Sequence, residues 1–158
     1  MKEDKIAVGF HGQGAQRTGM GKDFYDNVSV SREAYEEASQ AAGWDIADMC
    51  FGDDERLNLT EFTQPCILTT EIAMLRGLEV LFGFSPTFFG GHSLGEFTAL
   101  VTAGALPLSE AVRIVQIRGR LMQDAVPVGR GAMSAVMSYK FDTEGVRLSL
   151  KGLRIDIA

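Results

Sequence analysis

The residues best suited to chemistry are Gly91-His92-Ser93-Leu94-Gly95, a G-x-S-x-G spacing. In that pattern the serine occupies a sharp strand-to-helix turn, and small residues two positions to either side let the two backbones approach. The turn presents the hydroxyl at a helix N-terminus, where unengaged N–H groups and the helix dipole favour a developing oxyanion. Nucleophilic attack by Ser93 is the chemistry this implies, with the amide of Leu94 as first oxyanion donor. A serine hydroxyl needs a base to take its proton, and the chain has two histidines. His92 adjoins the serine, and adjacent side chains at an elbow diverge. His11 stands beside a second glycine-rich turn, Gly12-Gln13-Gly14, with no evident orienting acid.

The elements that must position these residues alternate between strand and helix. KIAVGF (5–10) reads as a short buried strand, followed by the turn-rich stretch 11–21. SREAYEEASQAA (31–42) reads as an amphipathic helix with Ser31 as its cap and Gly43 as its stop. A strongly apolar helix runs from Pro65 to Phe82, with the proline in its first turn. PTFFG (86–90) is the next strand, and GEFTALVTA after the serine is helical up to Gly104. Ser109 caps a further helix to Ala125, and the segment after Gly129 reads strand, helix, strand up to Ala158. Alternation of this kind predicts an α/β fold with a parallel sheet covered by helices. It divides into a larger subdomain, 1–128, and the beginning of a small α+β subdomain, 129–158, whose last strand runs to the end of the chain.

Composition narrows the class further. The chain has 158 residues, 46% of them hydrophobic and 23% charged, the profile of one soluble globular domain. No apolar run approaches the roughly 18 to 20 residues of a membrane span, and the N-terminus is not a signal peptide. Cys50 and Cys66 sit singly with no metal-ligand spacing, so a reduced, cytoplasmic protein without a metal site is expected. A net charge of −6 argues against a nucleic-acid partner. From Arg113 onward, however, eight Lys/Arg face four Asp/Glu. Such a basic region suits a phosphate-bearing ligand or an acidic partner protein, or is simply a solvated helix face.

Arg118 is conspicuous. On a helical wheel of about 100° per residue, Ala111, Ile114, Val115, Leu121, Met122 and Ala125 fall within about 60° of it. A guanidinium at the centre of an apolar face needs a partner, and its planar fork favours a carboxylate. Two partners are open: Glu71, which is equally misplaced among Ile67, Leu68, Met74, Leu75, Leu78 and Phe82, or the carboxylate of a substrate.

Four ordered segments, GQGAQ (12–16), TQPCILT (63–69), GHSLGEF (91–97) and RGRLMQDAVP (118–127), closely resemble the malonyl-CoA:acyl carrier protein transacylase family of fatty acid synthesis. The resemblance extends through GAMSAVMS (131–138) and covers essentially the whole chain. It implies an α/β-hydrolase-like parallel sheet with helices on both faces, carrying an inserted ferredoxin-like subdomain. It also implies a ping-pong acyl transfer in which Ser93 takes malonyl from coenzyme A and passes it to the phosphopantetheine thiol of acyl carrier protein. By the same resemblance the amides of Gln13 and Leu94 form the oxyanion hole, Arg118 binds the malonyl carboxylate, Gln64 lines the pocket and His92 is the motif histidine. Malonyl-CoA is then a substrate, and no cofactor is implied.

Two residues depart from the family pattern: His11 stands where proline is usual, and Glu71 where a small or neutral residue is expected. Family members are also about twice as long, which places the catalytic histidine and the remaining strands of both subdomains in sequence beyond this chain. Three alternatives follow: a polyketide synthase-type acyltransferase with the same motifs, a catalytically inactive truncated fragment, and a serine esterase. Arg118 and the GQGAQ turn disfavour the esterase.

Overall fold

The computed structural model describes residues 5–131 together with 142 and 145. Chain contacts divide the protein into two compact units, Met1–Val128 and Gly129–Ala158. The strand, helix and strand expected after Gly129 lie outside the described residues. In chain order the first unit contains β1 (Ala7–Phe10), α1 (Lys22–Asn27), α2 (Ser29–Ala42), α3 (Ile46–Phe51) and a 3-10 turn (Glu55–Asn58). It continues with α4 (Thr60–Phe82), β2 (Phe88–Gly91), α5 (Gly95–Thr102) and α6 (Leu108–Ala125).

The core is helical. Ala34, Tyr35 and Ala38 of α2 pack with Leu68, Ile72 and Ala73 of α4 and with Ala111, Val112 and Val115 of α6. Small residues bring the helices close. A Cβ on Gly77 of α4 would stand 2.7 Å from Ser31 Oγ and crowd the Phe24 ring. Ser31 is therefore not the expected helix cap. Its buried hydroxyl donates to the Ala73 carbonyl at 2.7 Å and ties α2 to α4, while α2 itself begins at Ser29 without a side-chain cap. Ser109 likewise does not cap α6, which starts one residue earlier, after Pro107.

Pro65 lies inside α4 rather than in its first turn. It forfeits only the bond that residue 65 would give to the Glu61 carbonyl. The helix begins at Thr60 because Thr63 Oγ donates to the carbonyls of Leu57 (2.6 Å) and Leu59 (2.9 Å) and fixes the approach. Helix α1 was not expected from the sequence, whereas α3 falls where the sequence around Cys50 looks helical. For α3 a signal was present in Asp45, whose carboxylate accepts the Asp48 N–H at 2.9 Å ahead of an apolar run. The two cysteines, far apart in sequence, are both free and buried. A hydrogen bond to Cys50, followed by burial, pushes the Cys66 thiol far above its ordinary range.

The sheet of the described residues has two strands, paired in parallel with Ala7 opposite Phe88 and Phe10 opposite Gly91. Helix α5 packs against both strands. Much of their side-chain surface is open, Phe88 being 53% exposed. The wheel of α6 needs correction. Its buried stripe is Leu108, Ala111, Val112, Val115 and Gly119, whereas Ile114, Leu121 and Met122 are exposed. Arg118 sits at the edge of the buried face, not at its centre. Among the described residues no helix is long and apolar enough to cross a membrane.

Candidate active site

Parallel pairing sets Phe10 opposite Gly91, so the turn after β1 and the elbow after β2 leave the same end of the sheet side by side. Open α/β sheets build their sites at that end. The two glycines of the elbow are sterically required. A Cβ on Gly91 would run into the backbone of Gly95, and one on Gly95 into the carbonyl of Phe10. A Cβ on Gly12 would stand 3.0 Å from the His92 carbonyl and 3.2 Å from His92 Nδ1. The first turn thus lies directly against the elbow.

Ser93 has φ of 56°, the one positive value at a non-glycine residue among those described. Holding an L-residue there costs roughly 1–3 kcal/mol, and such strain gathers at sites where geometry matters more than stability. It is held by the Leu94 side chain, which is fully buried, and by bonds from the Gly95 N–H to the His92 carbonyl (3.0 Å) and from the Glu96 N–H to the Ser93 carbonyl (3.3 Å). Neither the Leu94 N–H nor the Gln13 N–H has an acceptor among the described residues, so both remain available to an incoming oxygen.

The Ser93 hydroxyl meets an arginine and not a histidine. Arg118 Nη2 donates to Ser93 Oγ at 2.9 Å, and Nη1 donates to Gln64 Oε1 at 2.7 Å. Gln64 is fully buried and is itself fixed by Met122, its Nε2 lying 3.3 Å from the sulfur. The guanidinium also lies 5.7 Å from the ring centre of Phe97. This arrangement depends on how closely α6 meets α4. A Cβ on Gly119 would sit 2.5 Å from the Thr60 carbonyl, so the missing side chain is what lets Arg118 reach Gln64. Arginine cannot serve as the base, because it stays protonated at any pH a protein survives. Neither histidine hydrogen-bonds Ser93, and both are exposed.

The proposed Glu71–Arg118 pair does not form. Glu71 Oε1 accepts the His11 N–H at 2.7 Å, and Oε2 accepts the Thr98 hydroxyl at 2.7 Å. Burial pushes the Glu71 carboxyl above its ordinary range, partly offset by the hydrogen bonds from Thr98 and His11. The first turn has further anchors: Gln13 Nε2 donates to Thr60 Oγ1 (3.1 Å), the Gly14 N–H to Gln16 Oε1 (2.8 Å), and Gln16 Nε2 to Asn58 Oδ1 (3.3 Å). Ser93, Leu94, Arg118 and Gln64 therefore come together, with His92 against the first turn. The Gln13 side chain is turned to Thr60, leaving its backbone amide as the group of interest. Sequence reasoning missed Phe97, Thr98 and Thr60. Phe97 and Thr98 follow the serine by four and five residues, one helical turn into α5, and that spacing is the signal that could have found them.

The family model for the acyl transferase domain matches residues 9–150. The chain belongs to the acyl transferase domain family. It is 44% identical over 144 residues to the malonyl CoA-acyl carrier protein transacylase of Bacillus subtilis, covering 90% of this chain and 44% of that one. The Staphylococcus aureus transacylase is 44% identical over 139 residues, 87% of this chain and 44% of its own length. Among solved structures, the Clostridium perfringens transacylase superposes with a TM-score of 0.75 at 46% identity, over 80% of this chain and 40% of that one. A malonyl-transacylase in complex with its type II PKS acyl-carrier protein superposes with a TM-score of 0.74 at 39% identity, over 78% of this chain and 40% of that one. The acyl transferase domain described here thus spans less than half the length of the relatives it matches.

Proposed function

We propose that this acyl transferase domain transfers malonyl groups from malonyl-CoA to acyl carrier protein through an ester on Ser93, in fatty acid biosynthesis and in the cytoplasm. The observation that carries the reading is the Arg118 guanidinium, held by Gln64 with Nη2 at 2.9 Å from Ser93 Oγ. A malonyl group carries its carboxylate one methylene from the reacting carbonyl. A fixed cation beside the nucleophile can therefore take the carboxylate in its fork while the thioester carbon lies over the hydroxyl.

In the first half-reaction Ser93 Oγ bonds to the thioester carbon and its proton passes to a base. The carbonyl oxygen gains negative charge and is received by the N–H groups of Gln13 and Leu94. Collapse of the tetrahedral intermediate breaks the C–S bond, and coenzyme A leaves as the thiol with the proton returned. The phosphopantetheine thiol of acyl carrier protein then attacks the ester by the same steps in reverse. Neither His11 nor His92 hydrogen-bonds Ser93, and the resemblance to the transacylase family implies that the base is a histidine on sequence outside these 158 residues. On this reading 1–128 belongs to an α/β-hydrolase-like sheet with helices on both faces, and 129–158 begins a ferredoxin-like subdomain.

The test is intact-mass spectrometry after incubation with malonyl-CoA, with Ser93→Ala as control. The expected result is a Ser93-dependent adduct of malonyl mass that forms slowly, is discharged by holo acyl carrier protein, and forms faster when the C-terminal half of the Bacillus subtilis relative is added. A folded chain that gains no adduct under either condition overturns the reading.

A further inference from the structure

His11 and Glu71, the two positions at which the resemblance leads one to expect other residues, are joined by one interaction. Glu71 projects from the middle of α4 into the gap between the first turn and α5. Each of its oxygens is taken, one by the backbone N–H of His11 and the other by the hydroxyl of Thr98, both at 2.7 Å. These are short, charge-assisted bonds, stronger than bonds between neutral groups. They also join three elements. His11 is the first residue after β1 and lies two positions before Gln13, Thr98 is on α5 five positions after Ser93, and Glu71 itself is on the core helix that also carries Gln64. A proline at position 11 would have no N–H to give, whereas the amide present here requires an acceptor if it is to be held away from water.

We infer that Glu71 is a positioning residue: through the His11 N–H and the Thr98 hydroxyl its carboxylate sets the first turn against the nucleophile elbow, and so sets the Gln13 amide relative to Ser93. The inference rests on the acyl-transfer reading of the site for its effect on rate, but not for its effect on the turn. The other side-chain bonds from the turn to the rest of the protein are made further along it, from Gln13 to Thr60 at the N-terminus of α4 and from Gln16 to Asn58 in the 3-10 turn. Glu71 is the bond that joins the start of the turn to the core helix beneath it. No Lys or Arg pairs with Glu71 among the described residues. Its hydrogen-bonding geometry rather than an ion pair is what the turn uses, and glutamine can reproduce that: its oxygen accepts the His11 N–H and its amide N–H₂ meets Thr98 Oγ.

The experiment compares Glu71→Ala with Glu71→Gln in the full 158-residue chain. Amide hydrogen exchange and the ¹H–¹⁵N cross-peaks of His11, Gly12 and Gln13 report the turn, and the rate of Ser93 acylation by malonyl-CoA reports the site. In Glu71→Ala the His11 amide exchanges about tenfold faster or more, and the Gln13 cross-peak moves. Acylation slows about tenfold, while the half-saturating malonyl-CoA concentration changes less than about twofold, the signature of a loss confined to the transition state. Glu71→Gln restores both. A folded Glu71→Ala chain with unchanged His11 exchange or unchanged acylation rate overturns the inference, as does a Glu71→Gln chain as impaired as the alanine variant. If the wild-type chain leaves Ser93 unmodified, the acyl-transfer reading fails instead, and the His11 exchange and Gln13 cross-peak in the two variants decide the role of Glu71 on their own.

Discussion

Arg118 on α6 and Glu71 on α4 pose the same problem in sequence, a charge on a helix face rich in apolar residues, and they solve it in different ways. Each has neutral partners where a salt bridge between them was conceivable. Arg118 donates to Gln64 and Ser93 and stays half-buried beside the nucleophile. Glu71 accepts from a backbone amide and a threonine, and both its oxygens are engaged by donors of the protein. Pairing the two charges would have neutralised both and left neither for the site. Kept apart, the arginine holds its guanidinium beside Ser93, and the glutamate uses its acceptors on a backbone amide and a threonine hydroxyl.

Four outcomes would sharpen or break this contrast. The largest belongs to the atom that Arg118 touches: Ser93→Ala should abolish the malonyl adduct altogether, because the ester bond needs the hydroxyl oxygen. An adduct that survives would place the chemistry elsewhere. Next, Arg118→Ala should cut acylation by malonyl-CoA about 100-fold or more relative to acetyl-CoA, and Arg118→Lys should recover only part of it because the bidentate fork is lost. An unchanged malonyl-to-acetyl ratio would remove the arginine from substrate recognition. Third, Gly119→Ala should lower stability by about 1–3 kcal/mol, because its Cβ forces α6 away from the Thr60 carbonyl. Urea unfolding reads this, and an unperturbed midpoint would mean that the two helices yield without strain.

The smallest outcome concerns the pH dependence of Glu71. Burial raises its folded-state pKa above the unfolded value, although the bonds from Thr98 and His11 and the nearby His11 imidazole oppose this. The folded protein then binds the proton more tightly than the unfolded chain does. Its contribution is fully present below the unfolded carboxylate pKa of about 4.3 and is lost as pH rises through the raised value. Wild type should therefore gain a little stability relative to Glu71→Gln as pH falls from neutrality toward about 4. A pH-independent difference between the two would mean that the hydrogen bonds cancel burial, and a difference that grows the other way as pH falls would mean that they outweigh it.

How far this could be read in advance differs by element. The strand before the elbow, the helix after it and the serine between them were legible because they are local: glycines at fixed offsets and a short strand-like run passing into a helical one. The reach of α4 back to Thr60 was not, since proline marks a helix start by propensity alone and Thr63's bonds to Leu57 and Leu59 carbonyls are a feature of the folded chain. Ser31 and Ser109 were misread as caps for the same reason. A serine before an apolar run is a cap only if its hydroxyl faces the helix end, and Ser31 faces Ala73 instead.

By itself the sequence determined the sharp turn around Ser93, the alternation of strands and helices, and the kinship with acyl transferases, each of which is carried by short local segments of the chain. The tertiary structure alone decided which partner each lone charge takes. Helical periodicity constrains the direction a side chain leaves its own helix but says nothing about what stands opposite. Arg118 and Gln64 meet because Gly119 lets two helices touch, and His11 and Glu71 meet because a parallel strand ends beside the middle of a core helix. Both contacts join residues more than fifty positions apart, and only packing brings them within hydrogen-bond distance.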